Sequence, residues 1–142
     1  MTAKDFCSQF FFLQLRLNQR LKEIDHLQSM AKKVTSTISE SPSGNSKDVS
    51  RIENSVAEIY ECTGKLAEEI SRTVTIREKI LSAIKQLKNP NERLVLELRY
   101  IGFDSWESIA KKTSFSLAHV FNLHRRALKK LESESNIIVN NS

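Results

Sequence analysis

The sequence predicts an all-α protein: a long antiparallel helical hairpin, forming a coiled-coil-like arm, followed by a small helix-turn-helix domain. Three observations predict this class. Glycine and proline number only three and two in 142 residues, too few for the frequent turns that a sheet needs. Apolar residues recur at steps of three and four along two long stretches, the period of one helix face. Charge is uneven: Met1 to Ile84 carries 12 Lys or Arg against 11 Asp or Glu, whereas Lys85 to Leu131 carries 10 against 4. The expected division is an arm over 1–84, a basic domain over 85–133 and a flexible tail over 134–142.

The first element runs from Asp5 to about Ile38, with Phe10, Leu13, Leu17, Leu21, Ile24, Leu27, Ala31, Val34 and Ile38 on one stripe. Phe6, Phe11 and Phe12 widen that stripe near its start, either as a hydrophobic knob for a partner or as the thick end of the local core. Residues 39–48, SESPSGNSKD, then break the pattern, because serine, asparagine, proline and glycine compete with or cannot continue a helix. A flexible loop here lets the chain turn back.

The second element carries Val49, Ile52, Val56, Ile59, Thr63, Leu66, Ile70, Thr73, Arg77, Ile80, Ile84 and Leu87, a heptad alternation weakened by Thr63, Thr73 and Arg77. Two amphipathic helices around a loop form an antiparallel hairpin. Their length asks for a further partner, and a homodimer is expected, with Leu13, Leu17, Leu21, Ile24, Leu27, Val56, Ile59, Leu66 and Ile70 as the oligomerisation residues. Gly64 inside the pattern marks a close helix contact or a local bend.

Asn89 and Pro90 open the next helix as N-cap and first residue. Leu94, Val95, Leu98 and Ile101 lie on its inner side, Tyr100 extends the cluster, and Gly102 stops the helix. Ser105 caps a short helix whose Trp106, Ile109 and Ala110 face inward, with Glu107 and Lys111 spaced to pair outside. Thr113 to Ser116 is the turn. Ser116 caps a last helix, Leu117 to Leu131, with Val120, Leu123, Ala127, Leu128 and Leu131 inside.

Little in the chain resembles a catalytic apparatus. Its carboxylates are scattered along helix faces, its glycines stand alone, and no nucleophile, base and orienting group can be placed together. No enzyme activity, cofactor, metal or small-molecule substrate is expected. Cys7 and Cys62 read as small buried hydrophobes rather than a disulfide, and His26, His119 and His124 share no ligand spacing with them. No apolar run approaches the roughly 20 residues of a membrane span, and no signal-peptide pattern opens the chain, so a cytoplasmic protein with no membrane partner is expected.

Reading double-stranded DNA demands less: one helix in the major groove with a few outward side chains, and basic groups around it on the phosphates. The last helix offers this. Asn122 suits adenine, Arg125 or Arg126 suits guanine or a phosphate, and Ala118 suits a thymine methyl. Ser116, His119, Phe121, Lys129, Lys111 and Lys112 complete the candidate DNA-binding set. Each also has a plainer role, as an N-cap, a surface residue or a solvated face.

The stretch NPNERLVLELRYIGFDSWESIAKKTSFSLAHVFNLHRRALKKLES resembles region 4 of bacterial sigma factors and the sigma-like helix-turn-helix of many response regulators and phage regulators. The matching pieces are Glu92 to Tyr100, Ser105 to Ala110, and Arg126 to Leu131, within residues 84–132. With a helical arm in front, the whole chain is similar to small phage or prophage proteins of Gram-positive bacteria, including streptococcal ones of unassigned role and late-transcription regulators of the ArpU and RinA type. Leu117, Ala118, His119 and Phe121 stand where primary sigma factors carry several charged residues. The resemblance therefore implies an accessory transcription regulator, binding DNA as a dimer, with RNA polymerase as a further candidate partner. Two alternatives remain open: a module that docks on polymerase or another regulator, and a phage DNA-packaging or assembly protein of the small terminase type.

Overall fold

The structure, a computed structural model, describes residues 1–40 and 46–134. All regular structure among them is helical: α1 (Ala3–Glu40), α2 (Ser46–Lys85), α3 (Pro90–Leu96) running into a π-helical turn (Glu97–Ile101), α4 (Trp106–Thr113) and α5 (Leu117–Ser133). The fold class is thus all-α. The expected loop is shorter than its sequence suggested, since Ser39, Glu40 and Ser46 to Asp48 are helical; its centre, 41–45, lies outside the described residues, as does the tail over 135–142.

Two compact units emerge: one of Leu15–Arg72, the other of Met1–Gln14 with Thr73 onward. The expected boundary at 84/85 therefore does not separate two cores. The reason is apolar chemistry at both ends of the hairpin sequence. Ala3, Phe6, Cys7 and Phe10 from α1, Ile80, Ala83 and Ile84 from the end of α2 and Leu87 just beyond it are buried with Leu96, Tyr100, Ala127 and Leu131 in one cluster. A basic domain of some fifty residues has little surface to bury by itself; here residues 1–14 and the last turns of α2 add to its core.

The start of α1 is fixed by a reciprocal cap. Thr2 Oγ1 accepts from the Asp5 N–H at 3.1 Å while an Asp5 carboxylate oxygen accepts from the Thr2 N–H at 3.3 Å, satisfying two otherwise orphaned donors. Hydrogen bonding to the carboxylate from Thr2, its side chain first and then its N–H, favours the charged form and holds the Asp5 pKa below its usual value.

Within Leu15–Arg72, α1 and α2 run antiparallel: Arg20 reaches Glu69 at 3.2 Å, and the Cys62 thiol donates to Glu23 at 3.5 Å, so ascending numbers on one helix meet descending ones on the other. The seam differs from the expected one. On α1 it includes Leu17, Arg20, Ile24, Leu27, Ala31 and Val34, and on α2 Ile52, Ser55, Ile59, Cys62, Leu66 and Glu69, all buried or half-buried. Leu21, Val56 and Ile70 are instead exposed. Both registers of α2 share Ile52, Ile59 and Leu66, so apolarity alone selects Val56 and Ile70; the Arg20–Glu69 pair selects the other. Gly64 marks no close contact, since a Cβ there would meet nothing within 4 Å.

Cys7 and Cys62 are both buried free thiols. Burial pushes the Cys7 pKa up to about 12, and raises that of Cys62 with help from the Glu23 carboxylate. Among the described residues, no helix is long and apolar enough to cross a membrane, and no three His, Cys, Asp or Glu side chains gather to hold a metal ion.

Candidate nucleic-acid interface

Asn89 caps α3 by accepting from the Asn91 and Glu92 N–H groups at 2.9 and 3.3 Å, with Pro90 at the first helical position. Arg93 Nη1 reaches back to the Leu87 carbonyl at 2.8 Å and fixes the junction with α2. Val95 and Leu96 are buried and Leu94 is exposed, so the inner face is shifted by about one residue from the expected one. The helix widens into the π turn, where the Gly102 N–H donates to the Glu97 carbonyl at 2.9 Å. Gly102 ends it without left-handed geometry, at φ −84; Phe103 and Ser114 take the positive φ values, 58 and 61.

Helices α4 and α5 start on serine caps. Ser105 Oγ accepts from the Ser108 N–H and Ser116 Oγ from the His119 N–H, each at 3.1 Å. Between them Thr113 Oγ1 accepts from the Phe115 N–H at 3.3 Å while donating to the Ile109 carbonyl at 2.7 Å. Those bonds and the left-handed Ser114 close the turn in three residues, 114–116. Thr113, expected in the turn, is the last residue of α4. Val95, Ile109, Val120 and Leu123 form the core under the turn, joined by Leu98, Trp106, Ala110 and Phe115.

Buried Val120, Leu123, Ala127 and Leu131 fix which face of α5 is outside. At about 100° per residue, Ala118, Asn122, Arg125 and Lys129 stand opposite that core, with Arg126 and His119 on one flank and Phe121 on the other. All are exposed except Asn122, which is half-buried. An Arg125 guanidinium nitrogen donates to Asn122 Oδ1 at 2.9 Å, which ties the two side chains together. His119 rests edge-on against Phe115 at 4.8 Å and Phe121 edge-on against Trp106 at 5.2 Å. Ser116 begins this face with its hydroxyl already used as a cap.

The cations divide by partner. Lys112 is paired with Asp104 at 2.8 Å, and Lys130 holds both oxygens of buried Glu92 at 3.0 and 2.9 Å. Lys111, Arg126 and Lys129 are exposed and take part in no ion pair among the described residues, so Lys111 does not pair with Glu107 as its spacing suggested. Arg99 lies over the Trp106 ring at 4.3 Å and donates to the Asp104 carbonyl at 3.0 Å. Trp106 also takes His124 edge-on at 4.6 Å, and the Tyr100 hydroxyl lies 2.7 Å from His124 Nε2.

Sequence reasoning missed three of these relationships. The Glu92–Lys130 and Tyr100–His124 pairs each join residues more than twenty positions apart, with no local spacing to announce them. The π turn that carries Arg99 leaves no periodic trace either. No protein-family model, curated protein or solved structure matches this chain significantly.

Proposed function

We propose that the protein is a sequence-specific regulator of phage or prophage transcription that binds double-stranded DNA in the cytoplasm, with α5 as the reading helix. The observation that carries this reading is the stripe Ala118, Asn122, Arg125 and Lys129 standing opposite the buried face of α5. A helix entering the major groove offers a small apolar residue, a bidentate amide, a guanidinium and an ammonium in that order, chemistry that serves thymine, adenine, guanine and phosphate. Exposed Lys111 and Arg126 are available for backbone phosphates, and the N-terminal amides of α5 add partial positive charge. The Arg125–Asn122 bond holds both side chains in place before binding, which lowers the ordering cost. Exposed Leu21, Val56 and Ile70 on the arm support a dimer, and two reading helices then imply a two-fold symmetric site.

The test is selection of phage and host genomic fragments by the full chain at physiological salt, with an R125A/R126A variant alongside. Recovery of a discrete symmetric site that the variant loses is the expected result. Recovery of bulk DNA only, or of nothing, would overturn sequence-specific reading.

A further inference from the structure

A second surface of the unit formed by Met1–Gln14 and Thr73 onward points to a different partner. Four phenylalanines form a ladder from core to solvent. Phe10, 8% exposed, stacks on Phe103 at 5.1 Å; Phe103, 38% exposed, meets Phe11 edge-on at 5.5 Å; Phe11 meets Phe12 edge-on at 5.5 Å; and Phe12 is 58% exposed. Phe103 stands at φ 58, a conformation that costs a bulky L-residue roughly 1–2 kcal/mol. The aromatic contacts hold it there. Beside the ladder lies an open hollow of about 300 Å3 lined by Ser8, Phe11, Phe12, Arg99, Tyr100 and Phe103.

The hollow is apolar with one cation. Ser8 Oγ is spent on the Lys4 carbonyl at 2.7 Å, and the Tyr100 hydroxyl is spent on His124. Arg99 has a carbonyl and the Trp106 ring as neighbours but no carboxylate among the described residues. We propose that this hollow is a docking site for an acidic amphipathic segment of another protein, one apolar anchor side chain entering between Phe11, Phe12 and Phe103 while a carboxylate one helical turn away pairs with Arg99.

Size and ring geometry choose this occupant. A volume of about 300 Å3 lies at the small end of ligand pockets and suits one large side chain. Its rim continues outward as exposed Phe11 and Phe12, as for an anchor surrounded by a wider interface. Base stacking fits poorly, because Phe103 already has Phe10 stacked on it and Phe11 is engaged edge-on with two neighbours. An unmatched guanidinium at an apolar rim is complementary to a carboxylate. The surface is built from α1 and the turn after α3, apart from the α5 stripe, so it can act whether or not α5 reads DNA.

The probe is a set of random twelve-residue peptides displayed on phage and selected on the immobilised full chain, followed by anisotropy titration of the enriched peptides. Enriched peptides are expected to share an aromatic or Leu anchor with Asp or Glu three or four residues away. Their affinity should fall at least ten-fold on Phe12→Ser, and similarly when the peptide's own Glu is changed to Gln, which leaves the protein untouched. Phe12 is exposed, so the thermal midpoint of that variant should stay within a degree or two. Enrichment without acidic bias, or affinity unmoved by Phe12→Ser, would overturn the proposal. So would concentration-dependent self-association that Phe12→Ser abolishes, which would make a second copy the occupant.

Discussion

The Tyr100 hydroxyl lies 2.7 Å from Nε2 of His124, and the two rings stack with centroids 5.7 Å apart. Burial, together with the positive charges of Lys4 and Arg99, pushes the His124 pKa down to about 4. Burial, with Cys7 adding to it, raises that of Tyr100 to about 12. Both groups are therefore neutral through the physiological range, and the pair is a hydrogen bond rather than an ionic contact. An unfolded histidine takes up a proton near pH 6.5. Between there and about pH 4 the unfolded chain holds one proton more than the folded chain, so the contribution of His124 is complete above pH 6.5 and is lost as pH falls. Urea midpoints of the wild type and of His124→Gln, which keeps an acceptor but does not titrate, should converge between pH 7 and pH 4.5. Parallel curves would refute the shift.

Glu92 is 1% exposed and both its oxygens are held by the ammonium of Lys130, itself half exposed. Removing the lysine leaves a carboxylate inside the fold without its counter-charge. Breaking a buried pair from one side costs about 3–5 kcal/mol; access of water to the Lys130 end brings the expectation for Lys130→Ala down to about 2 kcal/mol by the same reasoning. Lys129→Ala, one position along and paired with nothing among the described residues, should change stability by less than about 0.5 kcal/mol. Chemical denaturation of the two variants decides it, and equal losses would mean that the Glu92 pair carries no special weight.

Capping chemistry made much of the C-terminal unit legible in advance. Asn89, Ser105 and Ser116 are N-caps, as their positions before apolar-periodic runs required, and Val120, Leu123, Ala127 and Leu131 are buried at the predicted spacing. Periodicity was less decisive in the arm. On α2 the residues Val56 and Ile70 compete with Ser55 and Glu69 for the seam, and hydrophobicity favours the wrong pair. Only the long-range partners, Arg20 for Glu69 and Glu23 for Cys62, break the tie, and these cannot be read from one helix alone. The placement of Phe6 and Phe10 in the same core as Leu131 is likewise a tertiary fact. The outward set on α5 followed from its inward set; the Arg125–Asn122 bond and the loss of Lys112 to Asp104 did not.

Two non-glycine residues share left-handed backbone geometry, Ser114 at φ 61 and Phe103 at φ 58, yet replacing them with glycine should act in opposite directions. Ser114 is exposed and its side chain makes no hydrogen bond among the described residues, so Ser114→Gly removes strain and should stabilise by up to about 1 kcal/mol. Phe103→Gly relieves the same strain but forfeits ring contacts with Phe10 and Phe11. With an aromatic pair contributing about 0.5–1.5 kcal/mol beyond area burial, the net should be a loss. Thermal midpoints moving up for one and down for the other are the expected outcome; two increases would show that the Phe103 ring contributes nothing.

On the proposed DNA-binding role, the pairing of the α4 lysines gives a prediction for salt dependence. Lys111 and Lys112 are adjacent and both exposed at the end of α4, but Lys112 is held by Asp104 at 2.8 Å while Lys111 has no such partner among the described residues. A lysine that neutralises a phosphate releases about one counterion, which appears as roughly 0.9 in the slope of log K against log salt. Lys112 must first leave its aspartate, so part of any gain at a phosphate is offset. Lys111→Ala should therefore flatten the slope for duplex DNA by close to one unit, and Lys112→Ala by distinctly less. Asp104→Asn supplies the control: it frees Lys112 without removing it, and should steepen the slope and tighten binding. If both lysine variants change the slope equally and Asp104→Asn changes nothing, the ion pair does not govern which cations are available, and the division of charge around α5 would have to be redrawn.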